Sequence, residues 1–324
     1  MVLWEEAPKV ILAGGIQVYS WGLYCMIGTL AATAAVIILC RASGTKKGTG
    51  QLLSVLGIGI GACVSRLLFC LLNLPGGTDM PLISWFNFTT GGFSLFGMII
   101  GVFLAAGLCA KITGESPKSM LDIVSCAIPL FVSAERIGER LIEGFNVSRS
   151  VMDNQFPAGS FLSVEDPVYG TSVLATWLLG AVMSIILFLI LTMMLFWKKR
   201  QAGDQWIVFL LLCGAGGVFL ESLRYDYHME YSFVYFQQIV AAGLLICGVI
   251  MAGKRSDGQK KNLFRTAIIS LPVTIGFCAF SEFALDRLDI SHHLLYFLMA
   301  AVLSVPVLLG VCLITKRKKG NETA

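Results

Sequence analysis

The stretch ERIGERLIEG, residues 135–144, follows the apolar run Met120–Ala134 without a break. It places five ionisable side chains within nine residues of a strongly hydrophobic chain. Ionisable groups buried in a membrane are costly, and they normally face a cavity or a partner. We therefore interpret residues 135–144 as the wall of a polar site that opens toward one membrane face.

The composition around this stretch is that of a membrane protein. Of the 324 residues, 56% are hydrophobic and 14% are charged, whereas soluble domains carry about 25% charged residues. The apolar runs are long enough to cross a hydrocarbon core of ~30 Å, and they do not alternate as barrel strands do. We predict an all-α, polytopic transmembrane helical bundle of about nine spans, at residues 17–40, 52–74, 91–113, 119–140, 171–197, 205–225, 231–253, 263–285 and 292–315.

Lysine and arginine predict the orientation of these spans, because cytoplasmic loops are enriched in both. If the spans alternate in direction, 17 of the 24 basic residues fall on one side. Only Lys9, Arg149 and Arg287 fall in loops on the other side. This distribution predicts an N-terminus outside and a C-terminus in the cytoplasm, and it gives no reason to expect nucleic-acid binding.

The four remaining basic residues lie in the later half of spans that are predicted to run outward, and they are Arg66, Arg136, Arg140 and Arg224. Glu221 and the acidic residues of the 135–144 stretch lie at the same predicted depth. We therefore expect Arg66, Arg136, Glu139, Glu221 and Arg224 to line one outward-facing cavity.

Within the opening stretch, Glu135, Glu139 and Glu143 form one helical stripe, and Arg136 and Arg140 form the next. The pairs Arg136–Glu139 and Arg140–Glu143 are three residues apart and can pair on a helix. One interpretation is a self-neutralising ladder whose long side chains reach the outer interface. The other is an arginine fork offered to a phosphate, with a carboxylate nearby as acid, base or arginine-orienting group.

Other polar residues in the spans leave similar alternatives open. Gly138 would let a lipid head group or a neighbouring helix approach the backbone closely. Glu221 and Arg224 can form a local ion pair, whereas Arg66 has no acidic neighbour in sequence and needs a partner from another helix or a lipid phosphate. Glu282 ends span 8, and we interpret it as an interfacial residue.

The sequence predicts no metal site and no cofactor. The ten cysteines lie almost entirely in apolar runs, as packing residues do, and none forms a CxxC pair. The three histidines lie in or directly beside predicted outer loops.

Several segments, taken in order, resemble the prolipoprotein diacylglyceryl transferases of bacteria. The opening stretch with Ala134 resembles the family signature Gly-Arg-Ile-Gly-Asn followed by Asn-Gly-Glu. The other similar segments are Tyr19–Leu23, Val64–Arg66, Gly91–Val102, Leu220–Asp226 and Phe236–Ile239. The resemblance covers about residues 15–255, so we predict a transferase-like seven-span membrane domain at 1–257 and two additional helices with a basic tail at 258–324.

The resemblance implies an enzyme of the bacterial cytoplasmic (inner) membrane that moves a diacylglyceryl group from phosphatidylglycerol to the thiol of a lipobox cysteine. Its partners would be phosphatidylglycerol, a prolipoprotein lipobox peptide and membrane lipid. The residues assigned on this basis are Arg136, Glu139 and Glu221 as catalytic residues, and Arg66, Arg136, Gly138, Arg224, Gly91 and Gly92 as substrate-binding residues.

Four positions depart from the family pattern. A histidine at the start of the third span falls on Phe96, the signature asparagine falls on Glu139, an arginine falls on Gly217, and a tyrosine falls on Trp21. Two interpretations remain: an enzyme in which Glu139 is a replacement acid or base, and a catalytically inactive homologue that binds lipid or a partner protein. A transporter is a weaker third, because we find no inverted repeat.

Overall fold

The computed structural model describes residues 9–11, 17–73, 85–88, 92–141, 162–165, 172–197, 201–224, 230–231, 234–256, 260–288 and 290–315. These residues form nine helices: α1 Ser20–Ala42, α2 Thr49–Asn73, α3 Leu95–Thr113, α4 Pro117–Glu139, α5 Thr176–Leu195, α6 Asp204–Ser222, α7 Phe236–Arg255, α8 Lys261–Arg287 and α9 His292–Thr315. Three short antiparallel hairpins precede α1, α5 and α7. They are β1 Lys9–Ile11 with β2 Gln17–Tyr19, β3 Ser163–Glu165 with β4 Ser172–Leu174, and β5 Glu230–Tyr231 with β6 Val234–Tyr235.

The predicted all-α polytopic bundle is confirmed. Eight of the nine helices in the described ranges are long and apolar enough to cross a membrane, so the chain is a multi-pass membrane protein. The remaining helix is α4, which carries the charged stretch at its end. Most residues of α4 are buried, so protein rather than lipid surrounds this helix.

Three predicted spans begin too early in the sequence. Residues 17–19, 172–174 and 234–235 are strands of hairpins, and α1, α5 and α7 begin only after them. Short apolar runs rich in β-branched and aromatic residues do not distinguish a strand from a first helical turn. The predicted orientation of the termini and the predicted division at residue 257 stay predictions.

The chain folds into two compact units. The first comprises Met1–Glu143 and Gly180–Gly203, and so contains α1–α4 and most of α5. The second comprises Gly144–Leu179 and Asp204–Ala324, and so contains α6–α9.

In the first unit, α2 packs mainly on α3, and α1 packs mainly on α4. Glycines bring these helices together: a Cβ on Gly101 would lie 2.7 Å from Gly61 Cα, and one on Gly28 would lie 2.9 Å from Ala134 Cβ. Small residues at such contacts are typical of membrane helix pairs. The close approach places the start of α1 beside the end of α4, and the start of α3 beside the end of α2.

In the second unit, α6 packs mainly on α7, and α8 packs mainly on α9. A Cβ on Gly214 of α6 would lie 2.5 Å from the backbone nitrogen of Leu245 in α7. Leu211 of α6 contacts Gly310 of α9, where an added Cβ would lie 2.7 Å from its Cδ1. Helix α9 therefore packs directly on α6, and all four helices share one unit.

Candidate functional site

Arg66 is buried near the end of α2, with 3% of its surface exposed. Its Nη1 donates a hydrogen bond of 2.9 Å to the carbonyl of Gly92, and its guanidinium lies 5.7 Å from the centre of the Phe69 ring. Cations are attracted to aromatic faces at this range. The partner that the sequence required for Arg66 therefore includes the backbone just before α3.

Two further hydrogen bonds fix this segment. Ser65 Oγ donates to the Ser94 carbonyl over 2.7 Å, and the Ser94 backbone N–H donates back to the Ser65 carbonyl over 3.2 Å. Ser94 also caps α3, because its side chain accepts from the Gly97 N–H. The Gly92–Gly97 segment therefore supports the position of Arg66. Gly91 lies outside the described residues.

Arg136 lies at the end of α4 between two carboxylates. Its Nη1 donates 3.0 Å hydrogen bonds to both oxygens of Glu139, and its Nε lies 3.8 Å from Glu135 Oε2. All three side chains are buried, and Trp21 donates a hydrogen bond to Glu135. The predicted Arg136–Glu139 pair is present, and both of its side chains are buried rather than extended to the interface.

Two glycines shape the surroundings of Arg136. A Cβ on Gly138 would lie 2.9 Å from Tyr24 Cβ and 3.2 Å from Trp21 Cδ1, so this glycine admits α1 rather than open space. A Cβ on Gly180 of α5 would lie 3.3 Å from Arg136 Cδ, so the arginine stem packs against α5. Arg140, one turn further, is exposed, and its predicted partner Glu143 lies outside the described residues.

An apolar cavity of about 350 Å³ lies in the first unit, among α1, α2, α3 and α4. Its lining includes Ser65, the residue before Arg66, and Trp21, which bonds Glu135. Val36 and Leu53 line it further along α1 and α2. From Leu53 to Ser65 the wall extends about 18 Å, at 1.5 Å per helical residue. Nearly all of its wall is apolar. The first unit thus joins buried arginines to a long apolar cavity, an arrangement that suits a lipid with an anionic head group.

The second unit holds the other predicted charges. Arg224 Nη1 lies 3.6 Å from Glu221 Oε1, and both side chains are buried at the end of α6. The Gln237 side chain at the start of α7, oriented with its amide nitrogen toward α6, donates to both Glu221 oxygens over 2.7 and 3.0 Å. The predicted local pair is therefore present, and Gln237 adds a partner.

The family profile of the prolipoprotein diacylglyceryl transferases matches residues 8–253. The chain belongs to this family. Among curated proteins, it is 23% identical over 262 residues to phosphatidylglycerol–prolipoprotein diacylglyceryl transferase 2 of Clostridium perfringens, an alignment that covers 76% of this chain and 96% of the relative. It is 26% identical over 251 residues to the phosphatidylglycerol–prolipoprotein diacylglyceryl transferase of Clostridioides difficile, covering 77% and 95%.

Family membership confirms the resemblance found in the sequence, and the structure shows what surrounds its departures. Phe96 is buried in the first turn of α3. Trp21 replaces the expected tyrosine and bonds Glu135. A Cβ on Gly217 would lie 2.9 Å from Ala241 Cβ, so an arginine at that position would force α6 away from α7.

Sequence reasoning missed three contacts of these charged groups: Trp21 with Glu135, Gly180 with Arg136, and Gln237 with Glu221. Trp21 and Gln237 lie in segments that resemble the family, and this was the available signal. The sequence held no signal for the Gly180–Arg136 contact, because a glycine in an apolar helix does not reveal what it packs against. In the described part of the chain, no group of three histidine, cysteine or acidic residues could hold a metal ion.

Proposed function

We propose that this protein transfers a diacylglyceryl group from phosphatidylglycerol to the thiol of a lipobox cysteine, in the bacterial cytoplasmic membrane. Family membership supports the reaction class. The observation that carries the proposal is that two buried arginines, Arg66 and Arg136, share the first unit with a long apolar cavity, whose lining includes Ser65 and Trp21. The cavity suits an acyl chain, and the arginines suit a phosphate.

In the proposed reaction the cysteine sulfur attacks the glyceryl carbon that carries the phosphate ester. The carbon–oxygen bond breaks, a carbon–sulfur bond forms, and glycerol phosphate leaves with the electron pair. Arg136 and Arg66 stabilise the charge that develops on the leaving phosphate. On the family pattern, Glu221 is assigned to catalysis, and Arg224, Gly138, Gly91 and Gly92 to substrate binding. Because Gly138 packs against α1, its part in binding is to hold α1 in place.

Glu139 is the proposed acceptor of the thiol proton, because thiols attack as thiolates. Its two oxygens both accept from Arg136 in the structure, so it also orients the guanidinium. The two roles differ in their response to Glu139→Gln. The amide still offers one oxygen to Arg136 but accepts no proton, so a base role predicts a loss of at least about 100-fold in kcat. Full activity in this variant would remove the base role and leave the orienting role.

The proposal is tested with purified protein, phosphatidylglycerol vesicles and a lipobox peptide, by measuring glycerol phosphate release and the mass of the peptide. We expect release in the wild type and a loss of about 100-fold or more in kcat for Arg136→Ala. Arg140→Ala is the matched control, because it removes the same charge one turn away at an exposed position. No release from the wild type, with lipid binding unchanged by Arg136→Ala, would overturn the proposal.

A further inference from the structure

Helices α8 and α9 lie beyond the family match, which ends at residue 253. They nevertheless pack within the second unit against the segment that carries Glu221 and Arg224. A buried cluster joins Leu223, between these two charged residues, to Ala284 and Leu285 of α8 and to Leu295 and Tyr296 of α9. The end of α8 and the start of α9 are thus in contact with the end of α6.

Helix α8 is bonded to the first turn of α7. Gln238 Nε2 donates to Glu282 Oε1 over 2.7 Å, and Gln238 Oε1 accepts from the Tyr235 backbone N–H over 3.0 Å. Both ends of the Gln238 amide are therefore held, which fixes the start of α7. Gln237, its neighbour, donates to Glu221.

The carboxylate of Glu282 is informative because of where it lies. It was predicted to be interfacial, but only 2% of its surface is exposed. A buried carboxylate is costly in a membrane protein and is not needed to pack two apolar helices. Its short hydrogen bond to Gln238 indicates that Glu282 holds the start of α7 in a defined position.

Helix α9 holds the end of α6 through Tyr296. The phenol donates a hydrogen bond of 3.1 Å to the Ser222 carbonyl, and the ring packs edge-on against Phe219 at 6.2 Å between centres. The last carbonyls of a helix lack partners within it, so this bond supplies one from α9. It acts between Glu221 and Arg224, at the point where the chain leaves the helix.

We propose that α8 and α9 form a clamp that positions the Glu221–Arg224 pair, with Glu282 and Tyr296 as positioning residues. Glu282 acts through Gln238 and α7 on Gln237, and Tyr296 acts on the Ser222 carbonyl. The clamp goes beyond the proposed function, and its catalytic consequence rests on the assignment of Glu221 to the reaction.

The first test needs no activity. Hydrogen–deuterium exchange of backbone amides in residues 219–224 and 235–240 is compared between the wild type, Tyr296→Phe and Glu282→Leu. We expect faster exchange in the first segment for Tyr296→Phe and in the second for Glu282→Leu. Thr274→Val is the matched control, because Thr274 bonds only across the α8–α9 pair, to Val302, in the contacts described for it. Exchange that matches this control in both variants would overturn the clamp.

The second test measures glycerol phosphate release. Tyr296→Phe should lower kcat about five-fold with KM for phosphatidylglycerol unchanged, and its unfolding temperature should fall only by the small amount expected for one lost hydrogen bond. Glu282→Leu should lower kcat further than Tyr296→Phe does. Glu282→Gln should keep most of the wild-type kcat, because the amide oxygen of the new glutamine still accepts from Gln238. A Glu282→Gln variant as slow as Glu282→Leu, or losses that follow unfolding temperature alone, would count against positioning.

The two tests separate this inference from the proposed function. An inactive wild type with altered exchange in Tyr296→Phe would reject the transferase and retain the clamp. An active wild type whose variants leave both exchange and kcat unchanged would reject the clamp and retain the transferase.

Discussion

At Gly92, the absence of a side chain makes room for Arg66. Its φ of +77° lies in the left-handed region, and an added Cβ would lie 2.6 Å from Arg66 Nη1 and 2.5 Å from Phe69 Cε1. Gly92→Ala therefore combines backbone strain of about 1–3 kcal/mol with displacement of the arginine. We expect a loss of phosphatidylglycerol binding together with lower stability, measured by lipid titration and thermal unfolding.

Gly44 separates these two effects. It has a φ of +71° but nothing within 4 Å of an added Cβ, so Gly44→Ala introduces the strain alone. Equal lipid affinity in the two variants would show that Gly92 does not position Arg66 for binding.

The sequence identified the buried arginines because charges are few in its apolar helices. It could not identify what holds them. The partner of Arg66 is the backbone carbonyl of Gly92, and carbonyls are present at every residue. Arg136 packs against Gly180, which lies 44 residues later in the chain, and sequence patterns do not reveal a contact across that separation.

At the scale of elements, the close packing of α2 and α3 holds the segment that supports Arg66. A Cβ on Gly101 would lie 2.7 Å from Gly61 Cα, and one on Gly97 would lie 2.8 Å from Ser65 Cα. The spacing Gly97-x-x-x-Gly101 is typical of closely packed membrane helices. The sequence thus contains the packing motif, but not the identity of the helix that packs on it.

Gly101→Leu should therefore separate α2 from α3. Overpacking costs about 1–3 kcal/mol, and we expect the Ser65–Ser94 hydrogen bonds to weaken with it. The measurement is unfolding in mixed detergent micelles, with Gly107→Leu as control, because nothing lies within 4 Å of a Cβ at that position of the same helix. A larger loss in the control than in Gly101→Leu would contradict close packing as the function of Gly101.

At the scale of the whole molecule, each unit gathers its basic segments at one end. In the first unit, the backbone N–H of Lys46 donates to Glu115 over 2.8 Å, which joins the α1–α2 loop to the α3–α4 loop. In the second unit, Lys260 Nζ donates to the Cys312 and Leu313 carbonyls near the end of α9, and Arg255 lies 3.5 Å from Asp204 at the start of α6.

In each unit the charged groups of the candidate site lie at the other end of the helices. Arg66 and Arg136 are near the ends of α2 and α4, whereas Lys46 and Glu115 precede the starts of these helices. Glu221 is likewise at the end of α6, and Asp204 is at its start. Hydropathy and charge were sufficient to predict that the site residues and the basic loops lie at opposite ends of the helices, because this depends on helix direction alone. Side-chain partners depend on packing and were not predictable.

The placement of the basic loops at one end of the helices allows a direct test of the orientation of the chain in the membrane. Since cytoplasmic loops are enriched in lysine and arginine, we predict that the α1–α2 loop faces the cytoplasm and the α8–α9 loop faces outward. In intact cells, a membrane-impermeant thiol reagent should modify His293→Cys, and it should modify Thr45→Cys only after the membrane is opened. Both variants are compared with the unaltered chain, whose ten cysteines set the background. The reverse pattern would place Arg66 and Arg136 at the cytoplasmic leaflet and would contradict the predicted orientation.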